Sequence, residues 1–502
     1  MTARRIVAVG GSDAGISAAL RARELDPGAQ FTVVVADAYP NFSICGIPYY
    51  VSGEVTHWTN LAHRTAADLA ATGMEVLTET RATRINVAEH TLDILDPAGN
   101  PGRLPYDALI VGTGAVSARP PIAGLDGPDG LGPADGVHLL HSMGDTFAVM
   151  ESLNTRNPKT AAIIGAGYIG LEMAEALTTR GIAVTQIEAL PEVLPTVDPD
   201  LGSLIHAELQ RNGVEVLTHT TVTAIARTPT GALVLSTTHD GETATRVVDF
   251  VLVVVGVKPD TELAADAGAE LSVQGTIAVD DAMRTNLTDV FAAGDCAHTH
   301  HRLLGITWLP LGTTAHKQGR VAGENALGGY ARFAGSLGTQ VVKVFDLVAA
   351  RTGLREHEAH TANPDWHPVT TQSAPDDHKA YYPGATPVHI RITGDRASGR
   401  LLGAQLVGHR SAEVSKRVDT YATALFHTMT VDALNELDLS YTPPLGSPWD
   451  ATQIAAQAWI REHQLDHQRR ALITDAGLRG ESRPQSPIDN DPRPSVPRSQ
   501  PR

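Results

Sequence analysis

Cysteine is almost absent: Cys45 and Cys296 are the only two in 502 residues, which excludes a disulfide scaffold. Aromatic residues make up 5%, and no apolar run approaches the roughly 20 residues that a transmembrane helix needs. Basic side chains are outnumbered, 39 Lys and Arg against 56 Asp and Glu. The net charge of −17 argues against a nucleic-acid partner, which would need a basic face. A secretory leader is not expected either. Met1-Thr2-Ala3-Arg4-Arg5 enters a buried strand almost at once, and its short apolar stretch leads into a glycine loop. What remains is an ordinary globular composition with a cytoplasmic location as the default expectation. The chain is too long for one core, so several domains are expected.

Buried strands alternate with helical patterns. Ile6 to Val9 reads as a strand, Gly10 to Gly15 as a turn, Ile16 to Leu20 as a helix and Phe31 to Val35 as the next strand: one βαβ unit. The pattern returns with a strand at Ala161 to Ile164, a turn at Gly165 to Gly170, a helix at Leu171 to Thr179 and a strand at Val184 to Ile187. Two such units predict two nucleotide sites. Strands ending near Gly114, Gly256 and Gly294-Asp295 are read as returning loops towards the first site. From about Phe333, valine-rich strands and a helical segment at Val414 to His427 predict an α+β domain. Residues 476–502, rich in Pro, Arg and Ser, have little to bury and predict disorder.

Gly165-x-Gly167-x-x-Gly170 carries the stronger signal. The first glycine permits the tight turn, the second lets backbone approach a pyrophosphate, and the third allows helix to pack on strand. Glu188 closes the following strand, where an acid would take ribose hydroxyls. Ala189 and Leu190 follow, with no arginine to hold a 2′-phosphate, so NADH is favoured over NADPH. The first turn, Gly10-Gly11-Ser12-Asp13-Ala14-Gly15, is less regular, with Ser12 at the middle position. Gly294-Asp295 adds backbone N–H groups and a carboxylate suited to a flavin's ribityl-phosphate region.

Cys45 stands in Asn41-Phe42-Ser43-Ile44-Cys45-Gly46-Ile47-Pro48-Tyr49-Tyr50. Pro48 is expected to open a helix, whose N-terminus would favour a thiolate at Cys45. A thiolate is the nucleophile of disulfide exchange. Cys296 has no such surroundings and reads as packing. His298, His300 and His301 lack a ligand spacing, so no metal site is expected.

Over about residues 4–460 the chain resembles the single-cysteine flavoprotein pyridine nucleotide–disulfide oxidoreductases, coenzyme A-disulfide reductases and NADH oxidases among them. The segments that carry this are Cys45 to Tyr50, Gly312 to Arg320 (GTTAHKQGR), Lys343 to Leu347, Tyr381 to Pro387 and Tyr441 to Pro444. The resemblance implies an α/β fold with two Rossmann-like nucleotide-binding domains and a C-terminal α+β dimerisation domain. An FAD domain, 1–150 and 276–332, would be interrupted by an NAD(P)H domain, 151–275, and followed by dimerisation residues 333–460. It implies FAD and NADH as cofactors and a homodimer. In that dimer Tyr441 and Tyr381 or Tyr382 would reach the partner's site as proton donors. Lys416-Arg417 would place basic charge near an anionic substrate. Three places depart from the pattern. Asp13 stands where related oxidases and peroxidases usually carry His, which argues against a peroxidase. Val35 falls where the FAD-ribose acid is expected, making Asp37 the substitute. Ile44 precedes the cysteine, where coenzyme A-disulfide reductases typically have Asn.

The expected activity is hydride transfer from NADH to FAD and onward through Cys45 to a small disulfide such as coenzyme A disulfide. An NADH oxidase acting on oxygen through a Cys45 sulfenate is one alternative. An NADH-responsive flavoprotein binding partner is the other.

Overall fold

The structure, a computed structural model, describes residues 3–127 and 130–464. The tail read at 476–502 lies outside the described residues.

Two five-stranded parallel sheets share one design. The first runs Val290–Ala292, Ala108–Val111, Arg5–Val9, Gln30–Val34, Glu75–Leu77. The second runs Glu215–Leu217, Ala183–Ile187, Thr160–Ile164, Phe250–Val253, Val137–Leu139. In each, the strand that enters the glycine turn lies centrally and is buried on both faces. That is why Ile6 to Val9 and Ala161 to Ile164 read as continuous apolar runs. A three-stranded antiparallel sheet accompanies each, Arg81–Asn86 with Thr91–Leu95 and Pro101–Pro105, and Thr220–Arg227 with Leu233–His239 and Glu242–Val248.

One sequence reading needs correcting. Val137–Leu139 pairs with Phe250–Val253 in the second sheet, so this sheet begins upstream of the 150/151 boundary. A three-residue edge strand is too short to show a period. The strand Phe250–Val253 lies in the second sheet and, as expected, runs through Gly256 into a return to the first unit, where Val257–Pro259 pairs with Ala115–Ser117.

The C-terminal part is an antiparallel five-stranded sheet ordered Gln340–Val344, Leu347–Gly353, Leu401–His409, Val388–Asp395, Pro368–Ser373. Helices Val414–Phe426 and Ala451–Trp459 cover it, burying Val418, Tyr421 and Trp459 against Ile390, Ile392 and Leu406. Among the described residues no helix is long and apolar enough to cross a membrane.

Candidate active site

The two glycine turns are superposable in logic. The Gly10 N–H donates to Val34 O at 2.9 Å, and the Gly165 N–H donates to Ile187 O at 2.8 Å. Gly10 has φ +114° and Gly165 has φ +102°, a region L side chains rarely adopt. The last glycine of each turn is fixed by packing: a Cβ on Gly15 would lie 2.0 Å from Gly10 O, and one on Gly170 would lie 2.0 Å from Gly165 O. Gly167 is different. Its φ is −77°, and an added Cβ would meet nothing within 4 Å. The fold does not demand a glycine there, but a pyrophosphate approaching the backbone does.

Glu188 is buried, its Oε2 accepting from the Ala166 N–H at 2.8 Å and its Oε1 from the Leu190 N–H at 2.9 Å. It therefore ties the second strand to the glycine turn. The first unit has no counterpart, because Val35 is buried against Gly11, where an added Cβ would lie 2.6 Å from Val35 Cγ1. Asp37 is exposed, with Oδ1 accepting from the Tyr39 N–H at 2.9 Å.

Around the first turn, Gly294 has φ +84° and donates its N–H to Gln318 Oε1 at 2.8 Å. The Asp295 carboxyl is pushed up to about 6, by burial first and then by Asp13. Gly114 and Gly256 close the connection from the second unit, where the Asp260 N–H donates to Gly114 O and the Ala118 N–H to Gly256 O. Asn41 is buried with its Oδ1 unpaired, and its N–H donates to Gly11 O. Ser12 is exposed and caps no helix N–H through its side chain. The unpaired Asn41 oxygen, with the exposed Ser12 and the N-terminus of helix Asp13–Leu25, fits the phosphate and ribityl parts of a flavin dinucleotide.

Cys45 lies in the turn Ile44–Gly46 and is exposed. Helix Ile47–Ser52 follows with Pro48 in its first turn, as the sequence indicates. It buries Ile47 and Val51 in the same core as Leu171 and Ala174 of helix Tyr168–Thr179, so the helix that follows the cysteine is seated against the second unit. Arg180 Nη1 donates to Val51 O at 2.7 Å and holds the far end. Tyr49 OH donates to Glu172 Oε1 at 3.1 Å. Burial lifts the Glu172 carboxyl to about 7, aided by Glu175 and opposed by the Tyr49 hydrogen bond and Lys343. Glu175 in turn pairs with Lys343 of the C-terminal sheet. Sequence reading missed Glu172 as a site residue. An acid two residues beyond the last glycine of a dinucleotide turn was the available signal.

The surroundings of Cys45 work against the expected thiolate: the crowding of protein around the sulfur, then Glu172, Asp13 and Asp295, push the thiol up. Cys296 is buried, its sulfur 3.5 Å from both Val111 O and Ala293 O, which is packing as expected.

The model of the pyridine nucleotide-disulphide oxidoreductase family matches residues 4–319, and that of its dimerisation domain matches residues 339–451. The chain belongs to this family. It is 30% identical to an NADH oxidase of Methanocaldococcus jannaschii over 462 residues, 91% of this chain and 99% of that protein. It is 31% identical to an NAD(P)H sulfur oxidoreductase (CoA-dependent) of Pyrococcus furiosus over 465 residues, 91% and 99% of the two chains. The solved NAD-dependent persulfide reductase from A. fulgidus superposes with TM-score 0.85 at 36% identity, covering 92% of this chain and 84% of that one. FAD and a nicotinamide dinucleotide are the cofactors of this oxidoreductase fold, and the two turns described above are their candidate sites.

The C-terminal residues divide in two. Tyr381, Tyr382 and Tyr441 are exposed, and a hydrogen bond donated to Tyr441 raises the Tyr381 phenol. Within one chain they make no hydrogen bond to Cys45 among the described residues. Arg417 departs from expectation. It is buried against Asp450 at 2.9 Å and donates to Asp377 O at 2.8 Å, so it braces the domain and does not face a substrate. Lys416 pairs with Asp419 at 3.1 Å on the exposed face. Among the histidines, His301 Nδ1 accepts the Leu303 and Leu304 N–H groups, and burial pushes it down to about 4. Among the described residues no cluster of three or more ligating side chains could hold a metal ion.

Proposed function

We propose that the protein reduces small disulfides, coenzyme A disulfide among them, with electrons from NADH, and that Cys45 is the sulfur through which they pass. The observation that carries this is the placement of one exposed thiol on a turn locked to both dinucleotide units. Gly10, Gly11, Ser12, Gly15, Asp37, Gly114, Gly294 and Asp295 would hold FAD. Gly165, Gly167, Gly170, Glu188 and Gly256 would hold or admit NADH. Bound FAD supplies the two-electron chemistry that connects a nicotinamide to sulfur.

The chain's own chemistry is thiol–disulfide exchange. Cys45 Sγ, as thiolate, attacks one sulfur of the substrate. A bond forms between Cys45 and that half, the substrate S–S bond breaks, and the other half leaves as a thiolate that takes a proton. Glu172, lifted to about 7 and bonded to Tyr49, is a proton store matched to neutral pH beside that sulfur. Two electrons from NADH and a proton return the mixed disulfide to Cys45 thiolate and a second thiol.

The working unit is proposed as a cytoplasmic homodimer. A dimerisation domain and the exposed group Tyr381, Tyr382, Tyr441, Leu445 and Trp449 support it. In that dimer Tyr441 and Tyr381 or Tyr382 would serve the partner's Cys45 as proton donors. A second reading, oxygen reduction through a Cys45 sulfenate, is favoured by the likeness to the M. jannaschii NADH oxidase. A steady-state panel separates the two. Purified holoenzyme is given coenzyme A disulfide, other small disulfides, persulfide, peroxide or oxygen, with NADH or NADPH. Disulfide or persulfide turnover above oxygen consumption is expected, and oxygen consumption exceeding every sulfur acceptor would install the oxidase reading instead.

A further inference from the structure

The loop that leads from Glu188 into helix Pro199–Arg211 is gripped by side chains of the C-terminal domain. Two arginines take the carbonyls of three consecutive residues. Arg355 Nη1 donates to Pro195 O at 2.9 Å and to Val197 O at 3.2 Å, and Arg351 Nη1 donates to Thr196 O at 2.7 Å. Arg351 lies in strand Leu347–Gly353, and Arg355 is the N-cap of helix Glu356–Ala362. Glu358 of that helix locks both guanidinium groups, accepting from Arg351 Nη2 at 2.6 Å and from Arg355 Nη2 at 2.8 Å. Burial opposes its charge, but Arg351 and then Arg355 hold the carboxyl down to about 2. One residue beyond the three carbonyls, the Asp198 N–H donates to Gln405 Oε1 at 2.6 Å, and Asp198 Oδ2 accepts from Gln405 Nε2 at 2.8 Å.

The same loop touches the second glycine turn. The Leu194 N–H donates to Ala166 O at 2.9 Å. Leu194 is buried at φ +52°, a region that a leucine holds only where its surroundings over-determine it. Gly165 O accepts from Gln186 Nε2 at 2.6 Å. With the Ile187 and Glu188 contacts, every backbone N–H and carbonyl of Gly165 and Ala166 is engaged within the protein. A second contact comes from a side chain: Thr196 Oγ1 donates to Tyr168 Oη at 3.1 Å. Tyr168 follows Gly167 directly and opens helix Tyr168–Thr179, with Glu172 one turn further along the same face.

We propose that Arg351 and Arg355 are positioning residues for nicotinamide dinucleotide binding, acting through Thr196 on Tyr168 and through Leu194 on Ala166. The proposal rests on the reading of Gly165 to Gly170 as the NADH site and is independent of Cys45. A dinucleotide held at a helix N-terminus binds best to a turn already in place, because freedom left in the turn is lost on binding. The C-terminal domain removes that freedom in advance.

The test is calorimetric titration of FAD-loaded full-length protein with NAD⁺, beside steady-state KM and kcat for NADH with ferricyanide, an acceptor that needs no thiol. T196V keeps the shape of the side chain and removes the hydroxyl. It should weaken NAD⁺ binding about fivefold and raise the KM for NADH to match, with kcat within about twofold and the melting temperature within about 2 °C. T196S restores the hydroxyl and should bind NAD⁺ as wild type does. T196V/Y168F should bind no more weakly than Y168F alone. R351M should weaken binding about tenfold or more, and where it fails to fold the Thr196 series carries the test. Wild-type affinity in T196V, a T196S as weak as T196V, or a loss of kcat with affinity intact would each overturn the positioning role. G167A separates this role from the site assignment. Weakened NAD⁺ binding in G167A with none in T196V leaves the turn as the NADH site and removes the arginine clamp. Wild-type binding in G167A removes the site assignment, and the proposal with it.

Discussion

The two dinucleotide units share the order of four strands and one kind of glycine turn, yet they differ where a ligand would touch them. The second unit keeps a middle glycine, Gly167, that packing does not require, and an acid, Glu188, hydrogen-bonded into the turn. The first unit has Ser12 and buries Val35 where the acid would be. It also carries more machinery around its turn: Asp13, Asn41, Asp295 and Cys45. On the proposed assignment, strict patterning belongs to the site that would exchange its dinucleotide. A cofactor that stays bound can be held by contacts dispersed over several segments.

The largest effect should come from the glycines that packing fixes. G15A would force a Cβ to 2.0 Å from Gly10 O, and we expect more than about 3 kcal/mol of destabilisation or no flavin-containing protein at all. Flavin absorbance after purification checks this. G167A, by contrast, should leave the melting temperature within about 2 °C but weaken NADH binding at least tenfold, to about 1.4 kcal/mol or more. Equal losses of stability in the two variants would erase the distinction between a structural and a ligand-facing glycine.

The acids give the next contrast. E188A strands two backbone N–H groups and should cost about 1–3 kcal/mol while narrowing the preference for NADH over NADPH. D37A, at an exposed position, should cost under about 1 kcal/mol and change FAD retention only a few-fold. Denaturant titration and cofactor titration measure both.

A pH slope gives the last contrast. Glu172 titrates near 7 in the folded chain, against an ordinary carboxylate value near 4.5. The folded state then binds its proton more tightly, so this group's contribution to stability is complete below about 4.5 and is lost as pH rises through 7. E172Q should remove that part of the decline. An identical slope in E172Q would show that the carboxyl is not lifted.

Much of this was legible in the sequence. Runs buried on both faces and paired glycine turns predict both sheets, and Pro48 predicts the helix after Cys45. The edge strand Val137–Leu139 was not legible, because three residues show no period. Nor was the face of Arg417, whose burial depends on Asp450 far along the chain. Arg351 and Arg355 meet Pro195 to Val197 only because two domains distant in sequence pack together. The raised Cys45 thiol follows from burial first and then from carboxylates on three separate segments, which no local reading brings together.

The most direct measurement concerns the sulfur itself. C45S holoenzyme should hold as much FAD as wild type, while NADH-dependent reduction of a small disulfide falls at least about a hundredfold, since serine cannot form the mixed disulfide. Full turnover in C45S would contradict the account at its centre, because electrons would then be leaving by a route that does not include Cys45.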